Sequence, residues 1–165
     1  MGEPETQRPR RVQALIVIAL LVVLATATAY AVMSDASVRG LTVRISNPIR
    51  TCSIDSLTDA RMVTFSLSAI VYSTHSLRTS ISQVRLQLAA DGVAVGTANE
   101  TDRAFDPGQG TSYSTLLFKD PVLDPSNLPP SSNLVLAITA QVSAGFYRMK
   151  TTASDSQVVS SGTGC

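Results

Sequence analysis

One stretch constrains this chain more than any other. From Val12 to Met33 the sequence runs VQALIVIALLVVLATATAYAVM, and no charge interrupts it until Asp35. As an α-helix, roughly 20 such residues cover about 30 Å, the thickness of a bilayer's hydrocarbon core. A buried helix of a soluble domain normally shows a polar face, and this run has none. Arg8, Arg10 and Arg11 stand just before it.

Two membrane readings follow. In the first, the run is an uncleaved transmembrane anchor (12–34). Arg8, Arg10 and Arg11 then lie in a short cytoplasmic tail (1–11), and the rest of the chain lies outside. In the second it is a cleaved signal peptide, with Ala14 to Leu24 as the apolar region and Ala29-Tyr30-Ala31 as a small-x-small cleavage site. The full apolar length favours the anchor. Both readings place the domain at 35–160 outside the cytoplasm, ahead of a short tail at 161–165. Gly2 and Thr6 also fit the N-myristoylation pattern, which adds little beside so long an apolar run.

The exported part has the pattern of a β protein. Leu41, Val43 and Ile45 alternate with Thr42, Arg44 and Ser46 until Asn47-Pro48, which reads as a stop. Val63, Phe65, Leu67, Ala69 and Val71 alternate again, as do Val84, Leu86 and Leu88. The turn Ala90-Asp91-Gly92 follows, and Asp-Gly supplies the positive φ that a hairpin needs. Val93 and Val95 resume the pattern as far as Gly96. Ser112 to Phe118 follows the turn Asp106-Pro107-Gly108. Four prolines interrupt 120–130. Leu134 to Val142, then Phe146 to Thr152 after Ala144-Gly145, make a further pair, with Gln157 to Val159 as a separate short piece. Ser56-Leu-Thr-Asp59 reads as a cap for one helical turn. Seven or eight short strands at this spacing predict a mainly β chain. Its expected form is an immunoglobulin- or fibronectin-like antiparallel β-sandwich behind one N-terminal transmembrane helix.

The segment from Val63 to Ala98 resembles the group-2 late embryogenesis abundant (LEA type 2) domain, also called the water-stress and hypersensitive response domain. Gly92 and Gly96 sit where that family closes its hairpin. Phe105 to Phe118 resembles the family's next strand, and Leu134 to Thr152 its last hairpin. The resemblance covers about residues 40–160. The family's Asn-Pro break is replaced here by Tyr72-Ser73-Thr74-His75-Ser76, and the chain's Asn-Pro, at Asn47-Pro48, comes one strand earlier. The resemblance implies a fibronectin-like fold without catalysis, linked to desiccation and stress protection and often anchored to membranes.

Little in the sequence points to chemistry. There are 13 basic and 12 acidic residues, for a formal charge of +1, so no basic field attracts nucleic acid. The one histidine, His75, lies among Ser and Thr and is the only base for the many serines. The run DPGQGTS lacks the lysine and helix of a phosphate-binding loop. Asp102, Asp106, Asp120 and Asp124 lie in loops, three of them before proline, which is turn chemistry. No EF-hand spacing occurs. There is no Trp, and aromatic residues are few for a ligand pocket. The expectation is therefore no enzyme activity, no cofactor, no metal and no small-molecule ligand.

Three features bear on covalent state and partners. Cys52 and Cys165 are the two cysteines and the candidates for a disulfide. Such a bridge would close more than roughly 100 residues, worth up to about 4.7 kcal/mol in the entropic account. The rival is a free terminal thiol. Asn99-Glu100-Thr101 is a complete N-glycosylation acceptor at Asn99. Ala25, Ala27 and Ala29 would let the helix pack against others.

The first reading is thus a non-enzymatic single-pass membrane protein. It presents its sandwich outside the cytoplasm in a structural, protective or partner-binding role. The alternatives are an accessory subunit of a larger membrane complex or surface filament, or a domain secreted after signal cleavage. A bacterial-type pilin would carry Gly before its apolar run and Glu early within it, and this run has neither.

Overall fold

The computed structural model describes residues 7–54, 61–74, 76–120 and 130–160. Within them one helix, α1 (Gln7–Arg39), precedes eight strands. These are β1 (Leu41–Ile54), β2 (Arg61–Ser73), β3 (Thr79–Ala90), β4 (Val93–Glu100), β5 (Arg103–Phe105), β6 (Gly110–Asp120), β7 (Ser131–Ala144) and β8 (Tyr147–Ser160). The first sheet has the order β1-β2-β6. The second has the order β4-β3-β7-β8, and β5 also pairs with β3. All pairings are antiparallel. The chain is a β-sandwich with an N-terminal apolar helix.

Alternating apolar side chains decide which face of each sheet turns inward. Val63, Phe65, Leu67, Ala69 and Val71 of β2 meet Leu86 and Leu88 of β3 and Leu134, Leu136 and Ile138 of β7 in one core. All are essentially solvent-free. β1 runs beside β8 and closes one side of the sandwich. There the Ile45 N–H donates to Asp155 Oδ2 at 2.7 Å, satisfying an edge donor that sheet pairing leaves open.

Asn47-Pro48 does not end the first strand. β1 runs on to Ile54, and its pairing with β2 slips between Ser46 and Ile49. Asn47 takes a positive φ of 48°. This is a β-bulge, where proline's missing N–H costs no ladder bond. The extra residue reverses which side chains face inward. Leu41, Val43 and Ile45 are buried before it, Arg50 is buried after it, and Ile49 is exposed. Arg50 Nη1 donates to the buried Ser132 Oγ at 2.8 Å, linking the first sheet to the start of β7.

Two further strand expectations are corrected. β8 is one strand of 14 residues rather than two pieces, because β7 pairs with it from Ser131↔Ser160 to Ala144↔Tyr147. β3 begins at Thr79, ahead of the Val84 alternation, with a bulge between Ser82 and Arg85. At that bulge Gln83 has φ 51° and its N–H donates to Asp102 Oδ1 at 3.1 Å. The turn between β3 and β4 is Asp91-Gly92, both at positive φ, flanked by Ala90↔Val93. The cap at Ser56–Asp59, His75 and three of the prolines in the 120–130 loop (Pro121, Pro125 and Pro129) lie outside the described residues.

Candidate functional site: the junction of helix and sandwich

α1 divides by its surroundings. From Val12 to Val32 no side chain is buried, and the 18-residue window that would cross a membrane has none of its residues buried in the protein. Two hydroxyls within it are satisfied by the helix's own backbone. Thr26 Oγ1 donates to the carbonyls of Val22 and Val23 at 3.0 and 2.9 Å, and Thr28 Oγ1 to Leu24 O at 2.8 Å. Such back-bonding is what a hydroxyl needs where no water is at hand. The helix is long and apolar enough to span a membrane.

The helix does not stop where the apolar run ends. It continues through Ser34-Asp35-Ala36-Ser37-Val38 to Arg39, and β1 starts at Leu41. Asp35 and Arg39 pair one turn apart at 2.9 Å on its exposed side. Its other side is sealed onto the sandwich, where Ser34, Ser37 and Val38 are buried. Ser73 Oγ donates to Ser37 O, and Thr151 Oγ1 to Val38 O, each at 3.4 Å. Ser34 Oγ turns back to Tyr30 O at 2.8 Å. No free linker separates helix from domain.

The β7–β8 hairpin completes the junction. Its two-residue turn is Gly145-Phe146, with Gly145 at φ 57°. A Cβ on Gly145 would strike Ser34 Oγ and come within 2.8 Å of the Tyr30 hydroxyl. Only glycine meets both demands here, the left-handed backbone and the close approach. The Phe146 ring stands edge-on to Tyr30, with centroids 4.8 Å apart and planes at 74°.

The antiparallel register shows which loops share this end. Leu41 pairs with Ser73, Tyr72 with Gly110, Ser80 with Ser143 and Thr79 with Phe105. The helix base, the approach to β3 with Arg78, the Asp106–Gln109 turn and the Gly145-Phe146 tip therefore lie together. The Asp91-Gly92 hairpin and the end of β8 lie at the opposite end, where the Asp91 N–H donates to Asn133 O at 2.9 Å.

The other sequence-derived candidates do not converge. Asn99 is exposed on β4, opposite Arg85. Cys52 is half-buried against the core from β1 and is not a free thiol, while Cys165 lies outside the described residues. Arg8, Arg10 and Arg11 fall in the first turns of α1. Asp102 bonds the Gln83 backbone, and Asp106 shapes its own turn, where the Gln109 N–H donates to Asp106 O at 3.0 Å. Asp106 also lies 3.7 Å from Arg78. Among the described residues no three His, Cys, Asp or Glu side chains gather as metal ligands. A groove of about 340 Å³ over β3, β4 and β7 is lined by Leu88, Val95, Val135 and neighbours, without a titratable side chain.

Burial pushes the Tyr113 phenol up to about 12, against an opposing pull from Arg103, whose guanidinium lies 5.9 Å from the ring centroid. Tyr113 Oη donates to Thr101 O at 3.1 Å. It acts there as a core strut. The junction itself was missed from sequence; its one legible signal was the turn read at Ala144-Gly145, which the structure shifts by one residue to Gly145-Phe146.

No known protein family matches the chain, and no curated protein does. The distantly similar solved structures include two crystal structures. One is a protein from Archaeoglobus fulgidus, 13% identical, with a TM-score of 0.37 over 72% of this chain and 98% of that one. The other is a Bordetella pertussis protein assigned as ApaA, 10% identical, with a TM-score of 0.47 over 76% of this chain and 98% of that one.

Proposed function

We propose that this chain is a non-enzymatic, single-pass membrane protein that holds a β-sandwich directly on the extracytoplasmic face of the membrane, in a structural, protective or partner-binding role. The observation that carries this is α1. One continuous helix is uncovered from Val12 to Ala29 and sealed onto the sandwich over its last turns. An uncovered apolar girdle needs lipid, and a sealed base transmits the helix's position to the domain. The orientation rests on Arg8, Arg10 and Arg11 at the N-terminal end.

The anchor is preferred to the cleaved signal because cutting after Ala31 would remove Tyr30, the partner of Phe146. Kinship with the LEA type 2 domain belongs to the same proposal; its support is the β3–β4 hairpin, with Gly92 at the turn and Gly96 in the return strand. A Cys52–Cys165 bridge is likewise proposed, since Cys52 is not a free thiol and the chain holds one other cysteine.

The test is intact mass of the protein from its native membrane, with and without reduction, together with protease treatment of intact cells. The full chain mass with the domain digested from outside is expected. A mass lacking the first 31 residues overturns the anchor, and a domain protected in intact cells but digested after lysis overturns the orientation. The same spectra report the bridge and any glycan on Asn99.

A further inference from the structure

Phe146 is 77% exposed, at the tip of a hairpin where a polar residue would serve the turn equally well. Its neighbour Tyr147 is also exposed. A large aromatic ring offered to water at a tight turn calls for an explanation, and its depth supplies one. From Val12 to Tyr30 the helix rises about 27 Å at about 1.5 Å per residue, close to the thickness of a hydrocarbon core. With Val12 at one boundary of that core, Tyr30 lies at the other, where tyrosines gather as interfacial anchors. The Phe146 ring lies 4.8 Å from the Tyr30 ring and shares its depth. Arg78 and Arg148 are exposed at the same end of the sandwich, suited to lipid headgroups.

We propose that the Gly145-Phe146 hairpin tip is a second membrane contact: Phe146 inserts into the headgroup–acyl boundary of the leaflet from which α1 emerges, beside Tyr30. This rests on the reading of α1 as a membrane span. Its consequence is orientational. A single helix leaves a domain free to swivel and tilt, whereas a helix plus an inserted tip fixes which face of the sandwich meets the membrane and which meets the outside.

The chain contains no tryptophan, so one introduced Trp reports its own surroundings. The experiment uses the full chain in phosphatidylcholine vesicles carrying either of two lipids, brominated near the carbonyl end or near the methyl end of the acyl chain. Three variants are compared: Phe146→Trp at the tip, Leu21→Trp at mid-span, and Val158→Trp, exposed at the far end of the sandwich. The expected result is about twofold loss of Phe146→Trp emission with the shallow quencher and less with the deep one, consistent with interfacial insertion. Leu21→Trp should show the reverse order, and Val158→Trp should be quenched by neither. If Leu21→Trp is quenched while Phe146→Trp behaves like Val158→Trp, the tip contact is overturned and the span stands. If Leu21→Trp is not quenched, the span itself is overturned.

Discussion

The β3–β4 hairpin turns at Asp91-Gly92 and the β7–β8 hairpin at Gly145-Phe146, each in two residues and each with glycine at positive φ. Their surroundings differ. A Cβ on Gly92 would meet nothing within 4 Å, whereas one on Gly145 would run into Ser34 and Tyr30 of the helix. Gly92 serves backbone geometry alone. Gly145 serves backbone geometry and also lets a helix pass. The same residue type in the same motif is thus a local device at one end of the sandwich and part of a tertiary joint at the other.

Substitutions put that difference to the test. Gly145→Val should be the most damaging, costing about 3–4 kcal/mol from left-handed strain plus overpacking against the helix. Urea unfolding of the full chain in mild detergent reads it, and Gly145→Ala in a Ser34→Ala background should recover part of the loss. Gly92→Ala should cost about 1 kcal/mol by the same measurement, the backbone share alone. Equal costs at the two glycines would break the comparison.

Phe146→Ala should cost only about 0.5 kcal/mol in detergent, since it removes one edge-on aromatic contact from an exposed ring. Its loss should therefore show in membrane geometry rather than in fold stability. The smallest effect concerns Tyr113, in neither hairpin. Its phenol holds its proton up to about pH 12 in the folded chain, against about 10 unfolded. The stability linked to that proton is present below pH 10 and is lost as pH rises toward 12. Tyr113→Phe should flatten this part of the decline in melting temperature between pH 9 and 12 relative to the parent chain.

Much of the fold was legible in the residues. The alternation in β2, β3 and β7 named the core correctly, because a half-buried strand must place apolar groups at every second position. Asp91-Gly92 announced its own hairpin. Other elements were hidden for identifiable reasons. β8 reads as two pieces, Phe146 to Thr152 and Gln157 to Val159, because Ser154-Asp155-Ser156 between them offers no apolar residue; pairing with β7, with β1 alongside, makes it one strand. β5 has three residues, too few for a pattern. Asn47-Pro48 has the chemistry of a stop and also that of a bulge. The continuation of β2 alongside decides between them, and with it that Arg50 turns inward and Ile49 outward.

By itself the sequence determined that an uncharged apolar span leads the chain and that an antiparallel sandwich follows, since both rest on local periodicity and on the cost of hiding or exposing apolar surface. Only the tertiary structure decided how the two are joined. Ser34, Ser37 and Val38 read as an ordinary polar exit from an apolar run, yet they are buried because Ser73, Thr151 and Gly145, distant in sequence, close over them. Such a joint leaves no periodic trace, because each residue in it is chosen by a partner on another element.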